Sequence, residues 1–77
     1  MIPIRFMFIQ CREGFEDDIL DKIRSIFGVT YVYKLDKSYD LVVKIESNSD
    51  EKFTSAISAI RKVHGILNTD TMVGFKE

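Results

Sequence analysis

The stretch IRSIFGV, residues 23–29, returns as IRKVHGI at residues 60–66. At the same offset Ile4, Phe6 and Phe8 fall on Leu41, Val43 and Ile45. The likeness is one of pattern more than identity, yet it spans nearly the whole chain. Two copies of one supersecondary unit account for it. In each copy a glycine follows an apolar run, at Gly28 and Gly65. A helix commonly ends on such a glycine at positive φ.

Working outward from the glycines gives the elements. From Phe15 to Phe27 the apolar residues Ile19, Leu20, Ile23, Ile26 and Phe27 recur at helical spacing. Glu16, Asp17 and Asp18 stand in the first turn, where the helix dipole favours negative charge. Before this helix, Ile4–Ile9 is short, apolar and aromatic and reads as a strand. After it, Val29–Tyr33 is β-branched and aromatic and reads as another. The second copy repeats the order. Leu41–Glu46 is a strand, and Asn48 with Glu51 has capping-box spacing. Phe53, Ala56, Ile57, Ile60 and Val63 form the second helical stripe, and Ile66–Phe75 is the last strand.

The order β-α-β-β-α-β with right-handed crossovers predicts a ferredoxin-like α+β sandwich over residues 1–77, a single domain. Its four-stranded antiparallel sheet carries both helices on one face and leaves the other bare. If Ile4, Phe6 and Phe8 point at the helices, Met7 and Ile9 point away, because strand side chains alternate. By the same parity Val42 joins the bare face, with either Tyr31 and Tyr33 or Val32. An exposed apolar patch marks an interface, so a dimer through Met7, Ile9, Tyr31, Tyr33 and Val42 is expected.

Composition narrows the function classes. Eleven basic and twelve acidic residues give a net charge of −1 and are interspersed, so no large field draws nucleic acid. No apolar run spans a bilayer, and no secretory signal is apparent; a cytoplasmic protein is expected. Cys11 is the only cysteine, which excludes an intrachain disulfide, and no zinc-ligand spacing occurs. No cofactor or metal is expected. A chain this short has a modest core, which leaves oligomerisation as its staple.

The order of IRSIFGV, then SYDLVVKI (residues 38–45), then IRKVHGILNTDTMV (residues 60–73) resembles the effector-binding or RAM domain of Lrp/AsnC transcription regulators. The resemblance covers essentially the entire chain. The family pattern of glycine, any residue, aromatic and aspartate falls on Lys37, Ser38, Tyr39 and Asp40. The family's glycine-valine and Thr-x-Thr fall on Gly65-Ile66 and Thr69-Asp70-Thr71. The resemblance implies homodimers, often assembled into octamers, that bind small effectors, commonly amino acids, where subunits meet. It is to the stand-alone form without a helix-turn-helix domain. Such a form regulates transcription or metabolism indirectly, alone or in hetero-oligomers with a DNA-binding relative.

On that reading Lys37, Ser38, Tyr39, Asp40, Thr69 and Thr71 are the candidate ligand residues. Asp40 pairs with an ammonium, loop N–H groups take a carboxylate, Tyr39 closes the apolar side, and the threonines add hydroxyl contacts. The alternative is structural: Asp40 bonds backbone, as Asx residues in turns do, and the threonines are ordinary strand residues. Lys37 stands where glycine is usual, which allows an acidic effector or none. His64, the only histidine, sits in the last helical turn, where interaction with the dipole is commoner than catalysis. Two rival functions follow: a purely structural oligomerisation partner, and a small dimeric α/β-barrel enzyme.

Overall fold

The computed structural model describes residues 2–36 and 38–76. Its elements run β1 (Ile2–Cys11), α1 (Glu16–Arg24), β2 (Val29–Lys34), β3 (Leu41–Glu46), α2 (Asp50–Arg61) and β4 (Ile66–Lys76). The strands form one antiparallel sheet in the order β2-β3-β1-β4. This is the ferredoxin-like α+β sandwich expected from the repeat.

The helices form where the sequence places them but end earlier: α1 stops at Arg24 and α2 at Arg61, so Ile26, Phe27, Val63 and His64 lie in the turns that follow, and one cap differs. In α1, Ile19, Leu20 and Ile23 are buried, and acidic residues open the first turn. α2 buries Phe53, Ala56 and Ile60. Its N-cap is Ser49, not Asn48, and the Ser49 hydroxyl accepts from the Lys52 N–H at 3.4 Å. Gly28 and Gly65 both adopt φ +98°. Gly65 has a second constraint: a Cβ there would lie 2.7 Å from Phe15 Cδ2, against 3.7 Å to Ala56 Cβ at Gly28.

The core lies between the helices and one face of the sheet. Leu41, Val43 and Ile45 of β3 meet Met7, Ile9 and Cys11 of β1 there. Met7 and Ile9 are therefore not interface residues; both are 0% exposed. The expected parity of β1 is reversed. Met7 pairs with Val43 and Ile9 with Leu41, so these residues share the helix-facing side. Arg5 lies on that side too, its guanidinium 4.5 Å from the centre of the Phe53 ring. A long stem can lie along apolar surface and keep its charged head at the margin, so an arginine is compatible with this side.

Candidate functional site

Reversing β1 changes what the uncovered face presents. Phe6 lies between Lys44 of β3 and Met72 of β4, and Phe8 between Val42 and Asp70. Tyr31 and Tyr33 of β2 stand opposite Lys44 and Val42, so they belong to this face, and Val32 packs against the core. The tyrosine rings stack 5.8 Å apart. Lys44 sits 5.6 Å from the Tyr31 ring and 3.1 Å from Glu46, so its charge is engaged within the face. The centre of the sheet thus shows aromatic and aliphatic side chains, half-buried or exposed, with few free charges.

One end of this face is polar. Tyr39 leaves the loop after β2 and packs on Phe8, with ring centroids 5.6 Å apart. Its hydroxyl donates to Asp70 Oδ2 at 3.3 Å. Gln10 Nε2 donates to the Ser38 carbonyl at 2.9 Å, and Asn68 Nδ2 donates to Gln10 Oε1 at 3.4 Å. Donors and acceptors are thereby arranged around aromatic rings, the combination that orients small polar ligands in apolar sites.

Asp40 is committed elsewhere. Its Oδ2 accepts the Cys11 N–H at 2.6 Å, its own N–H donates to the Ile9 carbonyl at 2.8 Å, and its carbonyl accepts the Leu35 N–H at 2.7 Å. These bonds staple the loop to the end of β1, close to the structural alternative drawn from the sequence. Burial pushes the Cys11 thiol up to about 11, with the charges of Asp40 and Glu16 adding to the shift. A protonated, buried thiol is a poor nucleophile.

The expected ligand residues do not converge. Ser38 and Tyr39 reach the uncovered face. Thr69 and Thr71 pair with Ile9 and Met7 and lie on the helix-bearing side, where Thr71 Oγ1 is buried with no hydrogen-bond partner among the described residues. Lys37 lies outside the described residues. Phe6, Phe8, Gln10, Asn68, Asp70 and Met72 were missed. The signal that finds them is the parity of β1 combined with its pairing to β4.

Surface hollows lie along the outer side of α2 and beside Phe27, one of them reaching Glu46 at the end of β3. A flat sheet face encloses no volume until something covers it. His64 is exposed and meets the Phe15 ring edge-on at 5.5 Å. Among the described residues no group of three His, Cys, Asp or Glu could hold a metal ion, and no polar or charged residue is buried as a whole. No helix there is long and apolar enough to cross a membrane.

Comparison with known proteins sets these features in context. The HTH-type transcriptional regulator FL11 of Pyrococcus furiosus is 25% identical over 73 residues, which are 95% of this chain and 48% of the regulator. The chain spans about half the length of the curated relatives it matches. Escherichia coli AsnC superposes with a TM-score of 0.84 at 21% identity, covering 97% of this chain and 52% of AsnC. A Neisseria meningitidis transcriptional regulator solved with L-Met gives 0.81 at 15% identity, over 97% and 51% of the two chains. The E. coli Tat proofreading chaperone NapD gives 0.79 at 23% identity, over 96% and 78%. These structural likenesses are of fold. Regulators and a chaperone share it, and the expected resemblance to Lrp/AsnC regulators holds as a likeness of fold. The family model that matches is that of NapD protein, over residues 7–73, and the chain belongs to that family.

Proposed function

We propose that this NapD-family chain is a binding module without catalytic activity. It closes its uncovered sheet face against a second copy and holds a small effector at the polar end of the joined faces. The observation that carries this reading is the continuous apolar face of Phe6, Phe8, Tyr31, Tyr33, Val42 and Met72. An apolar patch of this kind on a small soluble domain marks an interaction site. The polar cluster favours an amino acid: Asp70 offers a carboxylate to an ammonium, and Phe8 and Tyr39 offer rings to a side chain. Binding that spans two copies stabilises the assembly and gives the effector a differential affinity for the two states. The module then acts on transcription or metabolism through that assembly, alone or with a DNA-binding relative.

A second reading is favoured by the family match. NapD of E. coli is a Tat proofreading chaperone, and on that precedent the occupant of the same face is an export-signal peptide of the twin-arginine kind. Sedimentation of the full chain separates the readings, run alone, with each common amino acid at millimolar concentration, and with such a peptide. A dimer whose stability rises by about 2.7 kcal/mol at 100 times the dissociation constant supports the effector reading. A monomer that binds the peptide, and loses it on Phe6→Glu, supports the chaperone reading. A dimer indifferent to both leaves a purely structural oligomerisation partner and overturns both.

A further inference from the structure

β4 borders the sheet and pairs with β1 on its inner side. An edge strand presents a row of unpaired backbone N–H and C=O groups, and proteins ordinarily blunt such edges with charge, proline, bulges or short length. β4 is 11 residues long, and its irregularity lies at the Gln10/Cys11 end. Its stretch TMVGF, Thr71–Phe75, holds neither charge nor proline. Met72 is 57% exposed on the uncovered face, and Val73 and Phe75 are 62% and 60% exposed on the other. Apolar surface therefore flanks both sides of one open edge.

We propose that this edge pairs antiparallel with the β4 edge of a second copy of the chain, about a two-fold axis at Val73. The residues select that register. It sets Val73 against the partner's Val73, Met72 against the partner's Gly74, Thr71 against the partner's Phe75 and Asp70 against the partner's Lys76. Directly opposed side chains share a face of the sheet, and opposite charges so placed are favourable. Asp70, Met72, Gly74 and Lys76 all lie on the uncovered face, opposite Phe8, Phe6, Ile4 and Ile2, while Thr71, Val73 and Phe75 lie on the other. Every pair therefore meets on one face, and the two-fold axis makes the Asp70–Lys76 pair twice. Centring one residue earlier sets Asp70 against Gly74; one residue later sets Lys76 against Met72. Neither pairs the charges. Asp70 takes the Tyr39 hydroxyl through Oδ2, and an ionised carboxylate keeps acceptor capacity for both the partner's lysine and the ammonium of an effector. The product is a continuous eight-stranded sheet with all its helices on one side. The uncovered faces merge into one broader surface, which remains open to the occupant proposed above.

Crosslinking tests the register. Residues opposed in an antiparallel pair have Cα atoms about 4.5–5.5 Å apart, within disulfide range. In a Cys11→Ala background, Val73→Cys is expected to give a covalent dimer on oxidation, whereas Met72→Cys, facing Gly74, is not. Phe6→Glu in the same background removes pairing through the sheet face and leaves this crosslink intact. Asp70→Lys and Lys76→Asp each weaken self-association roughly tenfold, and the two together restore it. A chain in which Val73→Cys stays monomeric under oxidation overturns the proposal, even if a dimer through the sheet face persists. So does a double variant no stronger than its parents, or an edge that captures an extended peptide but not its own copy.

Discussion

Gly28 and Gly65 occupy the same place in the two halves and share φ +98°, yet replacing each with alanine should have unequal effects. At Gly28 the new Cβ meets only Ala56 Cβ, at 3.7 Å, an ordinary contact. The cost there is the positive φ, about 1–2 kcal/mol for an L side chain. The stiffer unfolded chain offsets it by about 0.4–1 kcal/mol. A net loss near 1 kcal/mol follows from those terms. At Gly65 the same strain is joined by contacts of 2.7 Å to Phe15 Cδ2 and 3.1 Å to Ile19 Cδ1. Forcing atoms into a packed site adds typically about 1–3 kcal/mol, which brings the loss to about 3 kcal/mol. For a domain of this size each kcal/mol moves Tm by roughly 4–8 °C. Gly65→Ala should therefore melt about 8–16 °C below Gly28→Ala. Urea titration of both variants measures the difference directly. Phe15→Leu should recover part of the Gly65→Ala loss, because shortening the ring removes the closest contact; the coupling is read from the double-mutant cycle. Equal losses at the two glycines, or no coupling with Phe15, would refute the packing argument and leave backbone strain as the only effect.

Further expectations follow from the two faces and from Asp40. Met7→Glu places a charge in the core and should leave the chain unfolded by circular dichroism, while Phe6→Glu should stay folded and lose association through the sheet face. A folded Met7→Glu would contradict the strand parity described above. Asp40→Ala leaves the Cys11 N–H without its charged acceptor and should cost about 1.5–3 kcal/mol in chemical denaturation, with Asp40→Asn keeping part of the bond. A change within about 0.5 kcal/mol would show that the loop does not depend on this staple. The Cys11 thiol, raised from its ordinary 9.0 to about 11, favours the folded state fully below pH 9.0. That contribution is lost as pH rises toward about 11, since the unfolded thiol ionises first. The fall in denaturation midpoint across this window should shrink in Cys11→Ala; an unchanged pH profile would remove the thiol from the account.

The helices were the most legible part of the sequence. Ile19 and Ile23 match Ala56 and Ile60 at one offset, all four are buried, and a glycine closes each segment. A stripe at helical spacing has one solution for its buried side, so reading it requires no partner. β3 was legible as well, because Lys44 and Glu46 mark one face and leave Leu41, Val43 and Ile45 for the other. The candidate site was less so. Tyr39 was found through its motif. Asp70, Gln10 and Asn68 are distant from it in sequence and join it only through the β1–β4 register.

By itself the sequence determined the order of the elements, their approximate ends and the turn glycines, since these depend on local spacing and backbone preference. It did not determine which side of β1 faces the helices. The run IPIRFMFIQC is apolar on both sides, and a shift of one residue exchanges them completely. Pairing with β3 settled the matter: once Leu41 and Val43 turn to the helices, Ile9 and Met7 must follow, and Phe6 and Phe8 are left on the face open to a partner. The same pairing turned Thr69 and Thr71 away from Tyr39. Alternation along a strand is local, but its phase is set across strands, by the neighbour whose core face is already fixed.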